Sequence, residues 1–363
     1  MKFICSVVLI FFIYGCHSES ADDTYADLDR AGPLIRIEGN QGYSGYKLME
    51  WEDGTIIDAR KAAWESYLYC TAPRDSTCND SAKNPYPIQL GADWRGAYPV
   101  RLDLYNYGNC PPPQKTTIYW LGGIIEGTAP LNATWREIKA SNGAGITLNA
   151  LNSTIDGVRM HNLHDPILPL EGNNFVIKNC WISYARDDAI ENDAFASGLI
   201  DDCLFDGCFV FYSARNPKKN SGPQPVAPGG GAEGLVKIHH CLIRMQAQPG
   251  GDTRYDRSVM AYQNVWKEND QRQPRIELVN NIFLLEKPHP GMRKVKTNVV
   301  PGKLKHAENN TVIWLGDGDY PHPLPDGFEV LTGEKGLSYW QKEKHRWIQN
   351  HPKVPRLEGD PKI

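Results

Sequence analysis

A chain of 363 residues with a formal net charge of −4 has no basic footprint, which argues against nucleic acid as a partner. Its 10 Trp and 17 Tyr are read first as core and stacking residues, because large aromatics are mostly buried in part, and second as platforms for sugar rings. Length alone allows two domains, but a repeating chain grows by repeats and escapes that prior.

Met1 to Gly15, MKFICSVVLIFFIYG, sets one Lys before an apolar run too short to span a bilayer. Residues 1–15 are therefore expected to be a signal peptide. The run ends Tyr14-Gly15-Cys16, which resembles the bacterial lipobox. That resemblance implies lipidation at Cys16 and an outer-membrane or cell-surface lipoprotein, with plain periplasmic or secreted export as the alternative. Residues 16–32 are polar and acidic, as suits a flexible tether. Membrane contact is expected only through this lipid anchor, and the protein is expected to be a monomer.

Residues 33–319 carry short strand-like segments. Gly54-Thr55-Ile56-Ile57-Asp58-Ala59-Arg60 opens the series, and Tyr86-Pro87-Ile88-Gln89-Leu90 and Pro99-Val100-Arg101-Leu102 follow. Cys70 and Cys78 flank the polar loop TAPRDST, and Cys110 precedes Pro111-Pro112-Pro113. An exported protein can keep disulfides. One bridge is expected here, with Cys70–Cys78 the first choice, although spacing does not settle connectivity.

The central stretch repeats itself. Thr154-Ile155-Asp156-Gly157-Val158-Arg159-Met160 has the same form as Val176-Ile177-Lys178-Asn179-Cys180-Trp181-Ile182 and Leu199-Ile200-Asp201-Asp202-Cys203-Leu204-Phe205. Lys237-Ile238-His239-His240-Cys241-Leu242-Ile243 and the segment from Val279 to Leu284 are read as further copies. The first apolar column is then Ile155, Ile177, Ile200, Ile238 and Val279. A second holds Val158, Cys180, Cys203, Cys241 and Ile282. Between them lie Gly157, Asn179, Asp202, His240 and Asn281, the residue types that accept positive φ, so each copy is two short strands joined by a tight corner. The first three copies are 22 and 23 residues apart (177−155 and 200−177). A fixed period of this length built from strands and corners signals stacked repeats that share one core. The Cys column reads as a ladder of small buried residues.

This pattern resembles the right-handed parallel β-helix of the pectin-lyase-like superfamily, over roughly residues 45–316. The fold class expected is all-β: a right-handed parallel β-helix solenoid with irregular N-terminal coils, loop insertions and a short C-terminal helix. Asn216 to Gly234 and Gln246 to Arg257 are read as insertions rich in Pro and Gly. Residues 320–363 form a C-terminal extension in which Leu337, Trp340, Trp347 and Ile348 fall on one face of a helix over 336–350. The run from Lys342 to Arg346 is its solvated face.

The richest polar group follows Cys180: Arg186, Asp187, Asp188, Glu191 and Asp193. His164-Asp165 lies 22 residues before Asp187 (187−165), which is one repeat. Stacked strands are about 4.8 Å apart, so these carboxylates can meet, and close like charges split their pKa values as glycosidic cleavage requires. Here the chain is similar to polygalacturonases, which implies Asp165, Asp187 and Asp188 as acid and base groups, with Arg186 able to neutralise them. Pectate lyases are the second template. That similarity implies Ca²⁺ held by Asp165, Asp187 and Asp188, with Arg215 or Lys267 as base. His164, Glu191, Tyr212 and Lys267 are expected on the substrate. The function expected is polysaccharide cleavage, by hydrolysis or elimination, with non-catalytic binding of glycan or cell-wall partners as the alternative. Asp residues that merely close turns are the structural reading of the same positions.

Overall fold

The structure, a computed structural model, describes residues 32–42, 53–65, 100–102, 117–133, 135, 145–148, 150–169, 174–215, 226, 229–247, 249, 264–268, 271–288 and 296–361. The expected signal peptide, Cys16 and the cysteines at Cys70, Cys78 and Cys110 lie outside the described residues. Among the described residues no helix is long and apolar enough to cross a membrane.

Every strand pairing is parallel, and the pairings run along ladders of strands. The first ladder passes from Thr55–Glu65 through Thr117–Leu121, Asn152–Asp156, Phe175–Lys178, Gly198–Asp201, Leu235–His239 and Arg275–Val279 to Leu304–Glu308. The second runs through Ile124–Glu126, Arg159–His161, Trp181–Glu191, Leu204–Ala214, Leu242–Met245, Ile282–Leu285 and Asn310–Trp314 to Phe328–Thr332. A third joins Val100–Leu102, Ile146–Leu148 and Ile167–Pro169 to the later halves of Trp181–Glu191 and Leu204–Ala214, and then to Asn264–Glu268.

The expectation of a right-handed parallel β-helix solenoid of the pectin-lyase-like kind is corrected by the closure of this wall. It forms a single nearly closed parallel β-barrel of 16 strands, spanning 318° around its axis. Spacing along a chain reports which strands pair; it carries no information on how far the wall closes.

The core sits inside the wall. Ile155, Ile177, Ile200, Ile238 and Leu278 stand in register, and all are fully buried. Burying each such side chain contributes about 1.5–3 kcal/mol. The corners are left-handed, at Gly157 (φ 71°), Asn179 (53°), Asp202 (48°), His240 (53°), Asn280 (57°) and Asn309 (51°). The fifth copy is therefore shifted by one residue from the expectation: Leu278, not Val279, enters the core column, and Asn280, not Asn281, turns the corner. Asn281 and Asn310 instead continue the interior column that begins with Val158, Cys180, Cys203 and Cys241. The cysteines are free and buried. Asn281 accepts from the Cys241 amide at 3.0 Å and donates to the Ile238 carbonyl at 2.7 Å. Asn310 takes the Asn281 amide at 3.1 Å and gives a hydrogen bond to the Leu278 carbonyl at 2.9 Å. The apolar rule fails there because the side-chain amides satisfy the backbone of the corner itself.

The wall continues past the end of the recognisable repeats, since Phe328–Thr332 pairs with Asn310–Trp314. Helix α1 (Gly333–Asn350) follows and lies along the flank of the second ladder. Trp340, Trp347 and Ile348 pack with Trp181, Leu204, Leu242 and Ile313. Gly336 permits this closeness, because a Cβ there would meet Ile313 Cγ2 at 2.6 Å. Lys344 leaves the expected solvated face and pairs with Asp206 at 2.5 Å. The tail is clamped by Arg159, 2% exposed, which forms hydrogen bonds of 3.0 and 2.8 Å to the two carboxylate oxygens of Asp360 and lies 4.3 Å over the Trp181 ring.

Candidate metal centre

Two backbone irregularities build the polar group. The turn after Arg159–His161 passes through Asn162 in the left-handed region (φ 57°) and presents His164 and Asp165. On the next strand, Tyr184 is also left-handed (φ 54°), and the register shifts between Ala185 and Asp188. In a regular strand neighbours point to opposite faces. A bulge re-aims side chains and bends the strand, and here it lets Asp187 and the adjacent Asp188 reach the same group. The backbone ties the two segments, with the Asp187 amide donating to the His164 carbonyl at 2.9 Å.

The contacts form a chain. His164 Nδ1 lies 2.5 Å from Asp165 Oδ2, and His164 Nε2 lies 3.5 Å from Asp187 Oδ2. The Asp188 amide donates to Asp165 Oδ1 at 3.2 Å. Lys267 comes from Asn264–Glu268, beyond the Leu204–Ala214 strand, and passes over the small Ser213 with which it is in register. Its Nζ lies 2.9 and 2.6 Å from the two oxygens of Asp188 and 3.4 Å from Asp187 Oδ1. His164, Asp165, Asp187, Asp188 and Lys267 are 4%, 3%, 6%, 1% and 9% exposed.

Burial sets the electrostatics. It pushes the Asp188 carboxyl up to about 8, with the charge of Asp187 adding to the rise and Lys267 opposing it. Glu191, half-buried next to the group, is pushed well up by desolvation and then by Asp165 and Asp193. Burial works against the charge on Lys267, but Asp187 and Asp188 outweigh it and hold the ammonium protonated well above its usual range. Close carboxylates in a dry site demand a proton or a cation.

One ligand atom from each of His164, Asp165 and Asp187 lies within 4.8 Å of the others. An imidazole nitrogen with two carboxylates suits Zn²⁺, Mn²⁺ or a related divalent transition metal. The expected Ca²⁺ set of Asp165, Asp187 and Asp188 fits less well. Ca²⁺ takes six to eight oxygens, and both oxygens of Asp188 face Lys267.

The remaining expected residues disperse. Arg186 gives hydrogen bonds to Asn162 Oδ1, at 3.0 Å, and to the Ala133 carbonyl, and lies 4.7 Å over the Tyr184 ring. Tyr212 is in the core against Trp266, ring centroids 5.9 Å apart, with its hydroxyl accepting from Asn192 at 2.7 Å. Asp193 accepts from the Ser213 hydroxyl at 2.9 Å and from the Arg215 amide at 2.8 Å, so it is the backbone of Arg215 that meets the acidic segment. Sequence reasoning missed Asn162, which anchors the segment at 127–133 through the Gly127 and Ala129 carbonyls at 2.9 and 2.6 Å. It also missed Trp135, whose ring centroid is 6.3 Å from that of His164. Trp135 belongs to a stretch where the repeat breaks, and no spacing points to it.

The chain matches no protein-family model, no curated protein and no solved structure. The similarity to polygalacturonases and pectate lyases, and with it polysaccharide cleavage or glycan binding, is therefore corrected. The physical reason is in the geometry. Carboxylates that act on a sugar must meet it and water, whereas Asp165, Asp187 and Asp188 are buried and Asp188 is bound to Lys267. The signal-peptide and lipoprotein expectation likewise finds no support in a family match.

Proposed function

We propose that this protein holds a divalent transition-metal ion through His164, Asp165 and Asp187. The observation that carries the reading is the convergence of one imidazole and two carboxylates within 4.8 Å. The ligands come from one turn and the neighbouring strand, so an ion there ties two successive levels of the wall together. The Trp135 ring beside His164 and the burial of every donor support a closed, held ion. An ion bound to a site that exists only in the folded chain stabilises the fold.

Calorimetric titration of chelator-stripped protein with Zn²⁺ and Mn²⁺ tests this. One equivalent should bind, with proton release and a raised melting temperature. Asp187→Asn should weaken binding by more than about a hundredfold, beyond the loss expected for an outer-shell change. A stripped parent protein that takes up neither ion, and melts identically with and without chelator, overturns the proposal.

A further inference from the structure

We infer that Lys267 occupies the place of a second cation, and that its ammonium limits this centre to one metal ion. The inference rests on the reading of His164, Asp165 and Asp187 as a metal site. Asp187 is divided between two neighbours: Oδ2 faces His164 Nε2 at 3.5 Å, and Oδ1 faces Lys267 Nζ at 3.4 Å. A carboxylate with one oxygen beside a ligand of the proposed ion and the other toward an ammonium has the arrangement of a bridging ligand, as in paired metal sites with ions about 3.5–4 Å apart. On the far side of the bridge, Asp188 turns both oxygens to the ammonium, at 2.9 and 2.6 Å. Glu191 lies in register with Ser213, and Ser213 with Lys267, which sets a further carboxylate on the same side of the wall. Lys267 reaches this point from a strand beyond Leu204–Ala214 and is 9% exposed. A single positive charge is thus delivered into a carboxylate cradle suited to a divalent ion.

The chemistry of the alternative is defined. With a neutral side chain at 267, Asp187 would bridge and Asp188 would serve a second divalent ion of the same class. No covalent step is involved; a monovalent, tethered cation is exchanged for a free divalent one. Lys267 is accordingly a specificity residue, setting how many ions the centre accepts.

The experiment counts metal in the parent, in Lys267→Met and in Lys267→Arg, using Mn²⁺ with elemental analysis after dialysis and electron paramagnetic resonance. The expected result is one ion in the parent and in Lys267→Arg, and two in Lys267→Met with a spectrum of exchange-coupled Mn²⁺. Adding Asp188→Asn to Lys267→Met should return the count to one. If the parent binds no ion, the first site fails and the inference falls with it. If the parent binds one and folded Lys267→Met also binds one, the inference alone is overturned and the first site stands. Should Lys267→Met unfold without metal, refolding on addition of Mn²⁺ with two ions bound supports the inference. Failure to fold at any Mn²⁺ concentration overturns it, because a second cation should replace the lost ammonium.

Discussion

Two buried polar regions of this wall solve the same problem differently. In the interior column, Asn281 and Asn310 are fully buried, neutral, and hydrogen-bonded to the backbone of their own corners. At the bend of Trp181–Glu191, Asp165, Asp187 and Asp188 are nearly as buried but carry ionisable carboxyls, and they meet His164 and Lys267 rather than main-chain partners alone. A buried amide that meets a backbone donor and acceptor asks nothing further of its surroundings. A buried carboxylate needs a counter-charge or a proton, and removing its partner is far more costly than removing a neutral hydrogen bond. The first region is a device of the fold. The second calls for a cation.

The largest expected effect separates them directly. Lys267→Met in metal-free buffer should destabilise the protein by about 3–5 kcal/mol, the cost of leaving buried charge without its partner. Chemical denaturation with and without chelator measures it. A loss under about 1 kcal/mol would mean that the carboxylates carry no charge there, and the contrast with the asparagine column would collapse.

Next comes the column itself. Asn281→Leu removes the acceptor of the Cys241 amide and the donor to the Ile238 carbonyl. The expected cost is about 2–4 kcal/mol, from buried backbone groups left unpaired. Metal should not change it. If added Zn²⁺ or Mn²⁺ stabilised Asn281→Leu and the parent by different amounts, the two regions would not be independent.

A smaller effect belongs to the corners. Asn179→Val forces a β-branched side chain into φ 53°, at about 1–3 kcal/mol. Asn179→Gly relieves the backbone and gives up only the 2.7 Å hydrogen bond to Asp156, about 1 kcal/mol. Equal melting points for the two variants would remove the corner from the account.

Much of this was readable from residue spacing, and the gaps have physical causes. The pairing of Ile155, Ile177, Ile200 and Ile238 follows from the period, because parallel strands one repeat apart must carry like residues to one face. The register slips at the fifth copy because Asn280 and Asn281 are adjacent, and either residue type can turn a corner; the interior position holds a side-chain amide where the earlier copies hold an apolar group. The step from Asp165 to Asp187 is visible as one repeat. The bulge that brings Asp187 and Asp188 to one group has no signature in the repeat spacing. Lys267 lies 79 positions from Asp188, across insertions that destroy the period. Closure of the wall, 318° around the axis, is a property of curvature that pairing alone does not state.

The smallest effect tests a charge that the fold pairs by itself. His351 follows α1, stacks on Trp347 with centroids 4.0 Å apart, and reaches Asp202 Oδ2 at 3.2 Å from Nε2. Burial opposes its protonation, but Asp202 and the Trp347 carbonyl, which Nδ1 meets at 2.7 Å, outweigh it and hold the pKa above the ordinary histidine value; Arg356 opposes them. Asp202 also accepts the Trp347 indole N–H at 2.9 Å, and its carboxyl is held below its usual range: burial raises it, while His351, Trp347 and the charge of His240 together lower it further. A raised histidine pKa contributes stability that is complete below the unfolded value near 6.5 and is lost as pH rises through the folded value. The lowered Asp202 pKa contributes stability above the unfolded carboxylate value, lost as pH falls through the folded one. The pair therefore acts in the window between them. Asp202 is 43% exposed at its side chain, so solvent screening holds the contribution to about 0.5 kcal/mol. Urea midpoints at about pH 5.5 and about pH 8.5, either side of the histidine range, should differ by that amount more in the parent than in His351→Asn. Identical pH profiles would show that the His351–Asp202 pair adds nothing to holding α1 on the wall.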